Sequence, residues 1–150
     1  MLLSKSCVYG LRASLLLASS QDGKYISIKK LSKKLDISFH FLTKILQQLT
    51  AVNLMESLKG PNGGVRLSKS GNEISLLDIV VVIDGDDLFQ ECVLGLPGCG
   101  MEKPCPFHKI WMSTRNDIRQ MLEENSLAKM AQEGKKGNLR ITADGGYKWE

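Results

Sequence analysis

The chain has 150 residues, of which 43% are hydrophobic and 24% charged, with few aromatics; this is the balance of a soluble helical protein of one domain, or of one domain with an extension. Its longest apolar run, Ile79 to Ile83, is bracketed by Asp78 and Asp84 and is far too short to span a bilayer. The net charge of +4 hides an asymmetry: residues 1–70 carry eleven Lys/Arg against three Asp/Glu, a net +8, and residues 71–150 carry nine against thirteen, a net −4, so a polyanion partner is expected for the first half and not the second.

In chain order, Val8, Leu11, Leu15 and Ala18 recur at helical spacing between Ser4 and Ser20, with Ser4 as cap. A short helix follows, capped by Ser27, with Ile28, Leu31 and Leu35 on one face. Asp36-Ile37 predicts a tight turn, and Ser38 caps a third helix whose buried stripe is Leu42, Ile45, Leu46 and Leu49. The opposite face of that helix carries His40, Thr43, Lys44 and Gln47, all polar. Two short helices joined in this way, the second with a polar outward stripe, predict a helix-turn-helix. Next, Leu54 to Leu58 and Val65 to Leu67 flank the turn-dense Lys59-Gly60-Pro61-Asn62-Gly63-Gly64, which reads as a β-hairpin. Directly after a helix-turn-helix it makes a wing, and Lys59, Arg66 and Lys69 are cations suited to phosphates or the minor groove. The expected fold is mainly α with this small β wing.

Ser75-Leu76-Leu77-Asp78 resembles a capping box and opens a helix running to Asp84. Beyond Gly85, three of the four cysteines and one of the two histidines fall within seventeen residues, Cys92-x6-Cys99-x5-Cys105-x2-His108, in a stretch rich in Gly and Pro. Thiolates and an imidazole are ligands of soft and borderline metals, and a supple backbone can wrap a small inorganic centre. Pro106 is placed as the first residue of a long helix through about Asn125, with an apolar stripe of Phe107, Ile110, Trp111, Thr114, Ile118, Met121 and Leu122. So long an amphipathic helix on so small a body points to self-association. A shorter helix starts at Ser126, and from Gly134 onward no periodicity survives, which predicts a poorly ordered tail. No secretion-signal pattern stands at the amino terminus, so the chain is expected in the cytoplasm, where thiols stay reduced.

Met1-Leu2-Leu3-Ser4, Tyr9, Ile37-Ser38-Phe39-His40-Phe41-Leu42, Lys59-Gly60-Pro61-Asn62-Gly63-Gly64-Val65 and the three-cysteine loop together resemble the bacterial IscR/NsrR-type (Rrf-type) transcription regulators, over residues 1 to about 133. The resemblance implies a homodimeric winged helix-turn-helix protein, not an enzyme, that binds double-stranded promoter DNA and no membrane or small-molecule substrate. It also implies an iron–sulfur cluster that controls promoter binding in response to redox, iron or nitric oxide status. Cys92, Cys99 and Cys105 match the family's cysteine ligands, and His108 the histidine that completes a [2Fe-2S] centre in the IscR branch. The NsrR branch holds a [4Fe-4S] centre with an acidic fourth ligand, at a place occupied here by Val8. Cys92 and Cys99 stand one residue further apart than is usual, and Cys7 is an additional thiol. Thr43 replaces a frequent acidic residue, Asn53 a usual glycine and Lys59 a common arginine.

The implied organisation is a DNA-binding domain over 1–84, a cluster loop over 85–105, a dimerisation helix and short terminal helix over 106–133, and a disordered tail over 134–150. DNA contacts are expected from Ser38, Phe39, His40, Thr43, Lys44 and Gln47, and from Lys59, Gly60, Pro61, Asn62, Gly63 and Arg66. Dimer contacts are expected from Ile110, Trp111, Thr114, Ile118, Met121 and Leu122. Two rival readings stay open: a structural zinc site on the same Cys3His set, and a thiol enzyme with Cys105 as nucleophile and His108 as base. Cys7, beside Val8 and Leu11, reads as a small buried hydrophobe rather than a ligand.

Overall fold

The computed structural model of the protein describes residues 2–20, 22–137 and 139–143. Serine hydroxyls start most of its helices. Ser4 caps α1 (Lys5–Ser19), Ser27 caps α2 (Ile28–Leu35) and Ser38 caps α3 (Phe39–Ala51), each accepting from the backbone amide three residues on. Ser75 and Asp78 form a reciprocal capping box on α4 (Leu76–Asp84). A short α5 (Asp87–Gln90) lies inside the segment expected to be a plain loop. The long α6 (His108–Glu124) and α7 (Leu127–Lys136, capped by Ser126) complete the chain.

Between α3 and α4, β1 (Met55–Leu58) pairs antiparallel with β2 (Gly64–Leu67), Met55 opposite Leu67 and Leu58 opposite Gly64. Ile26 adds an isolated bridge to Val65, pinning the wing to the start of α2. The doubled glycine of the wing has a steric cause. A Cβ on Gly63 would stand 2.0 Å from the Leu58 carbonyl oxygen, and one on Gly64, at φ +150, 2.0 Å from that of Ile26. Asn53 takes a left-handed φ of 61, a conformation Asn tolerates better than most side chains.

Helix α1 is the centre of the head. Its deepest residues are Cys7, Gly10, Ala13, Ser14, Leu16 and Leu17, whereas the expected stripe of Val8, Leu11, Leu15 and Ala18 is half-buried. The reason is that α1 is packed on more than one side, by α3, α4 and α7, so no single stripe describes it. Leu31, Leu35, Leu42, Leu46, Leu49, Met55, Val65, Ile79 and Leu127 close the main core around it. A second cluster joins Cys7, Leu77, Val80, Phe89 and Leu122.

Two boundaries need correction. Helix α6 begins at His108, because Pro106 and Phe107 lie in a turn closed by the His108 amide donating to the Cys105 carbonyl at 3.0 Å. The tail expected over 134–150 is ordered in its first part. Helix α7 runs on to Lys136, the Lys135 ammonium donates to the Ser19 carbonyl at 2.6 Å, and Arg12 Nε donates to the Ile141 carbonyl at 3.2 Å. Ile141 packs on the main core. The remainder of that expectation, 144–150, lies outside the described residues.

Candidate DNA-reading face and thiol centre

The α3 surface turned away from the core presents Phe39, His40, Lys44 and Gln47 to solvent, with Ser38 at its start and Thr43 half-buried. The Thr43 hydroxyl donates to the Phe39 carbonyl at 2.7 Å, so its methyl is the part left for a partner. A groove of ≈ 660 Å³ separates α3 from the wing, lined by Phe39, Thr43 and Gln47 on one wall and Lys59, Gly60 and Gly63 on the other. Lys29, in the first turn of α2, lines the same groove and was not singled out from the sequence. The +8 balance of residues 1–70 was its only signal.

Wing residues Lys59, Gly60, Pro61 and Asn62 are exposed. Arg66 differs from them. Its guanidinium pairs with Glu56 at 3.0 Å, stacks 4.4 Å from the Tyr25 ring centroid and donates to the Gly23 carbonyl at 3.1 Å. Three partners fix this side chain at the base of the wing.

Beyond α4, the chain brings the four candidate ligands to the start of α6. The Cys92 and Cys105 sulfurs are 3.5 Å apart, and the Cys99 sulfur is 3.5 Å from His108 Nδ1. A disulfide needs about 2.05 Å between sulfurs, so the four cysteines are free thiols. Backbone amides of Leu96, then Leu94, hold the Cys92 thiol below its ordinary range, whereas burial, then the hydrogen bond with Cys92, pushes Cys105 up. His108 is 8% exposed, and its Nε2 has no hydrogen-bond partner. A cleft of ≈ 380 Å³ lies beside Cys92 and Cys99, walled by Gly95, Leu96, Pro97 and Gly98.

Among the described residues no three such donors converge as a single metal shell; the four stand as two pairs. In kind they fit an iron–sulfur or Cys3His metal site: three reduced thiols, one imidazole and one buried ring nitrogen free of other duties.

The stripe expected on α6 divides into two faces. Phe107, Ile110 and Met121 are 52%, 68% and 54% exposed, with Thr114 exposed beside them. Leu122 is 5% exposed and Ile118 packs with it on Phe89 inside the same chain. Trp111 is half-buried, its Nε1 donating to the Glu91 carbonyl at 2.9 Å. A contact with a second chain is therefore open to Ile110, Thr114 and Met121, and not to Leu122.

A recognition helix beside a glycine-turned wing, on a basic head, defines a winged helix-turn-helix transcription regulator, and the chain is not an enzyme. More narrowly, it belongs to the Rrf2 family, described as iron-dependent transcriptional regulators, whose profile matches residues 3–133. A candidate HTH-type transcriptional regulator of Mycobacterium tuberculosis is 32% identical over 132 residues, covering 87% of this chain and 81% of that protein. Among solved structures, the global cysteine regulator CymR of B. subtilis superposes with a TM-score of 0.75 at 24% identity, over 87% of this chain and 95% of its own. IscR of T. potens superposes with a TM-score of 0.74 at 20% identity, over 92% and 91% of the two chains. At these identities the superpositions establish the fold. Among the described residues no helix is long and apolar enough to cross a membrane.

Proposed function

We propose that the protein is a cytoplasmic homodimer whose grip on promoter DNA is set by an iron–sulfur cluster held by Cys92, Cys99, Cys105 and His108, of the [2Fe-2S] type. The observation that carries this reading is the placement of all four donors at one end of α6. The other end of α6 is tied to the head: the Leu76 amide donates to the Asn125 carbonyl and the Leu127 amide to the Ile74 carbonyl, both at 2.9 Å. Seventeen helical residues, about 25 Å, thus link the thiols to the base of α4.

In the head, α3 enters the major groove with His40, Lys44 and Gln47 toward base edges and Phe39 and the Thr43 methyl as apolar contacts. Lys29 and Lys59 meet phosphates across the groove between α3 and the wing. Ile110, Thr114 and Met121 form the seam with a second copy, so the angle of α6 sets the spacing of two reading heads. A bound cluster supplies one-electron redox chemistry and oxidant-labile bonds. Regulation then needs only a difference in DNA affinity between the two arrangements of the loop.

Anaerobic purification followed by absorbance spectroscopy, with iron, sulfide and zinc analysis, tests the proposal. Coloured protein with iron and acid-labile sulfide is expected. Colourless protein carrying zinc would transfer the same four donors to the structural-zinc reading; colourless protein with neither metal would end both.

A further inference from the structure

Arg115 lies two turns along α6 from His108 and is withdrawn from solvent, 9% exposed. Its Nη1 donates to the Glu91 carbonyl at 3.1 Å and stands 3.5 Å from the Cys99 sulfur. Trp111, one turn nearer His108, donates to that same carbonyl. Arg115 Nε is buried and has no partner. Nor does a carboxylate reach the guanidinium: among the described residues the ion pairs are Lys24 with Asp22 and Arg66 with Glu56.

A guanidinium does not give up its proton in a protein. Withdrawing one from water without an anion is strongly unfavourable, so a buried Arg with no carboxylate partner calls for a negative group beside it. The acid recorded against it is the Cys99 thiol, one of the four candidate ligands. Glu91, whose carbonyl it holds, immediately precedes Cys92. One side chain thus spans the entry of the loop and its middle.

We propose that Arg115 is the positioning residue of the thiol centre: it tethers the Glu91–Cys92 backbone to α6 and supplies the counter-charge to the anionic thiolate–metal group at Cys99. The tether rests on hydrogen bonds of the protein alone; the counter-charge rests on the iron–sulfur reading above. A fixed cation favours the more negative of two charge states, so the centre is easier to reduce with Arg115 than without it.

The test compares wild type, Arg115→Gln, Arg115→Lys and Trp111→Phe, prepared anaerobically as full-length protein. In the metal-free forms, backbone hydrogen exchange is followed across residues 91–99. Arg115→Gln is expected to raise it on the order of tenfold, Arg115→Lys by less, and Trp111→Phe, which removes a donor and no charge, measurably. In the coloured forms, dye-coupled titration gives the midpoint potential: lower in Arg115→Gln, and close to wild type in Arg115→Lys and Trp111→Phe.

Unchanged exchange in Arg115→Gln overturns the tether, and an unchanged or higher midpoint overturns the counter-charge. Should Arg115→Gln not fold, Arg115→Lys and Trp111→Phe carry the comparison: exchange like wild type in both defeats the tether, and a lowered midpoint in Trp111→Phe defeats the charge argument. A colourless wild type removes the iron–sulfur reading and the counter-charge with it, while the exchange data still decide the tether.

Discussion

The winged head and the segment that follows it are ordered by different forces. In the head, fifteen apolar side chains form one buried cluster around α1, and α7 returns to seal it. Between Gly85 and Phe107, Val93, Leu94, Leu96 and Met101 all face solvent. Beyond Phe89, which is buried in the second cluster, what holds that segment is a pair of donors on the Glu91 carbonyl and three thiol contacts. A region held by burial keeps its shape whatever is bound; one held by a few polar contacts takes the shape its ligand gives it. The head is thereby suited to reading DNA, and under the proposed function the loop is suited to sensing.

The largest expected effect breaks the head. Leu127 is fully buried between α7 and α1, and Leu127→Ala should lower unfolding stability by about 3 kcal/mol. Leu96→Ala, in the loop, should change it by less than about 0.5 kcal/mol. Urea titration of the metal-free protein measures both, and equal losses would erase the contrast. Next in size is the exposed face of α6. Ile110→Glu places a charge where we propose a second copy packs, and should weaken dimerisation by about 2 kcal/mol. Analytical ultracentrifugation reads the shift, and Lys109→Glu, one residue away on an exposed position, is the control expected to leave the dimer intact.

Smaller in energy but sharper in meaning is Cys105→Ser. It should abolish visible absorbance and change promoter affinity by roughly tenfold, about 1.4 kcal/mol, while the metal-free melting temperature stays put. A mobility-shift assay on the holo and metal-free forms reads the affinity. Affinity identical to wild type in both forms would separate the loop from DNA control.

The same division decided what could be read from the sequence. Serine caps at Ser4, Ser27, Ser38, Ser75 and Ser126, the polar stripe of α3 and the glycine turn of the wing are local signals, and the helices and hairpin followed from them. Placements set by tertiary packing were not local. The depth of Gly10, the capture of Ile141 by Arg12 and the inward turn of Leu122 depend on neighbours more than thirty residues away. Arg66 looked free for DNA because its partners Glu56, Tyr25 and Gly23 meet it only once the wing folds. At the thiol centre the clustering of the candidate donors was visible in their spacing; their arrangement as two pairs and the contact of Arg115 with Cys99 were not.

Within the head, Lys59 and Arg66 sharpen the comparison further. Lys59 is exposed at the wing and has no carboxylate partner among the described residues. Lys59→Ala should weaken binding several-fold across all DNA sequences and reduce the salt slope by about one. Arg66→Ala instead loosens the wing base, so it should lower thermal stability as well. Fluorescence anisotropy over a salt series, paired with melting curves, tells the two apart.

The smallest effect at neutral pH belongs to Cys7, a thiol unlike the three in the loop. Burial, then the charge of Asp84, pushes its pKa from 9.0 to about 12. Folded protein therefore keeps this proton where unfolded chain loses it. Stability from that difference is fully present below pH 9 and is lost as pH rises from 9 toward 12. Because Lys and Tyr side chains also titrate there, the informative quantity is the difference between wild type and Cys7→Ala. That difference should be flat from pH 6 to 8 and fall above 9. In metal-free native protein, an alkylating reagent should modify Cys92, Cys99 and Cys105 well before Cys7. Rapid labelling of Cys7 would mean that the seam between α1, α4 and α6 opens as readily as the loop, and the head could no longer be called the rigid part.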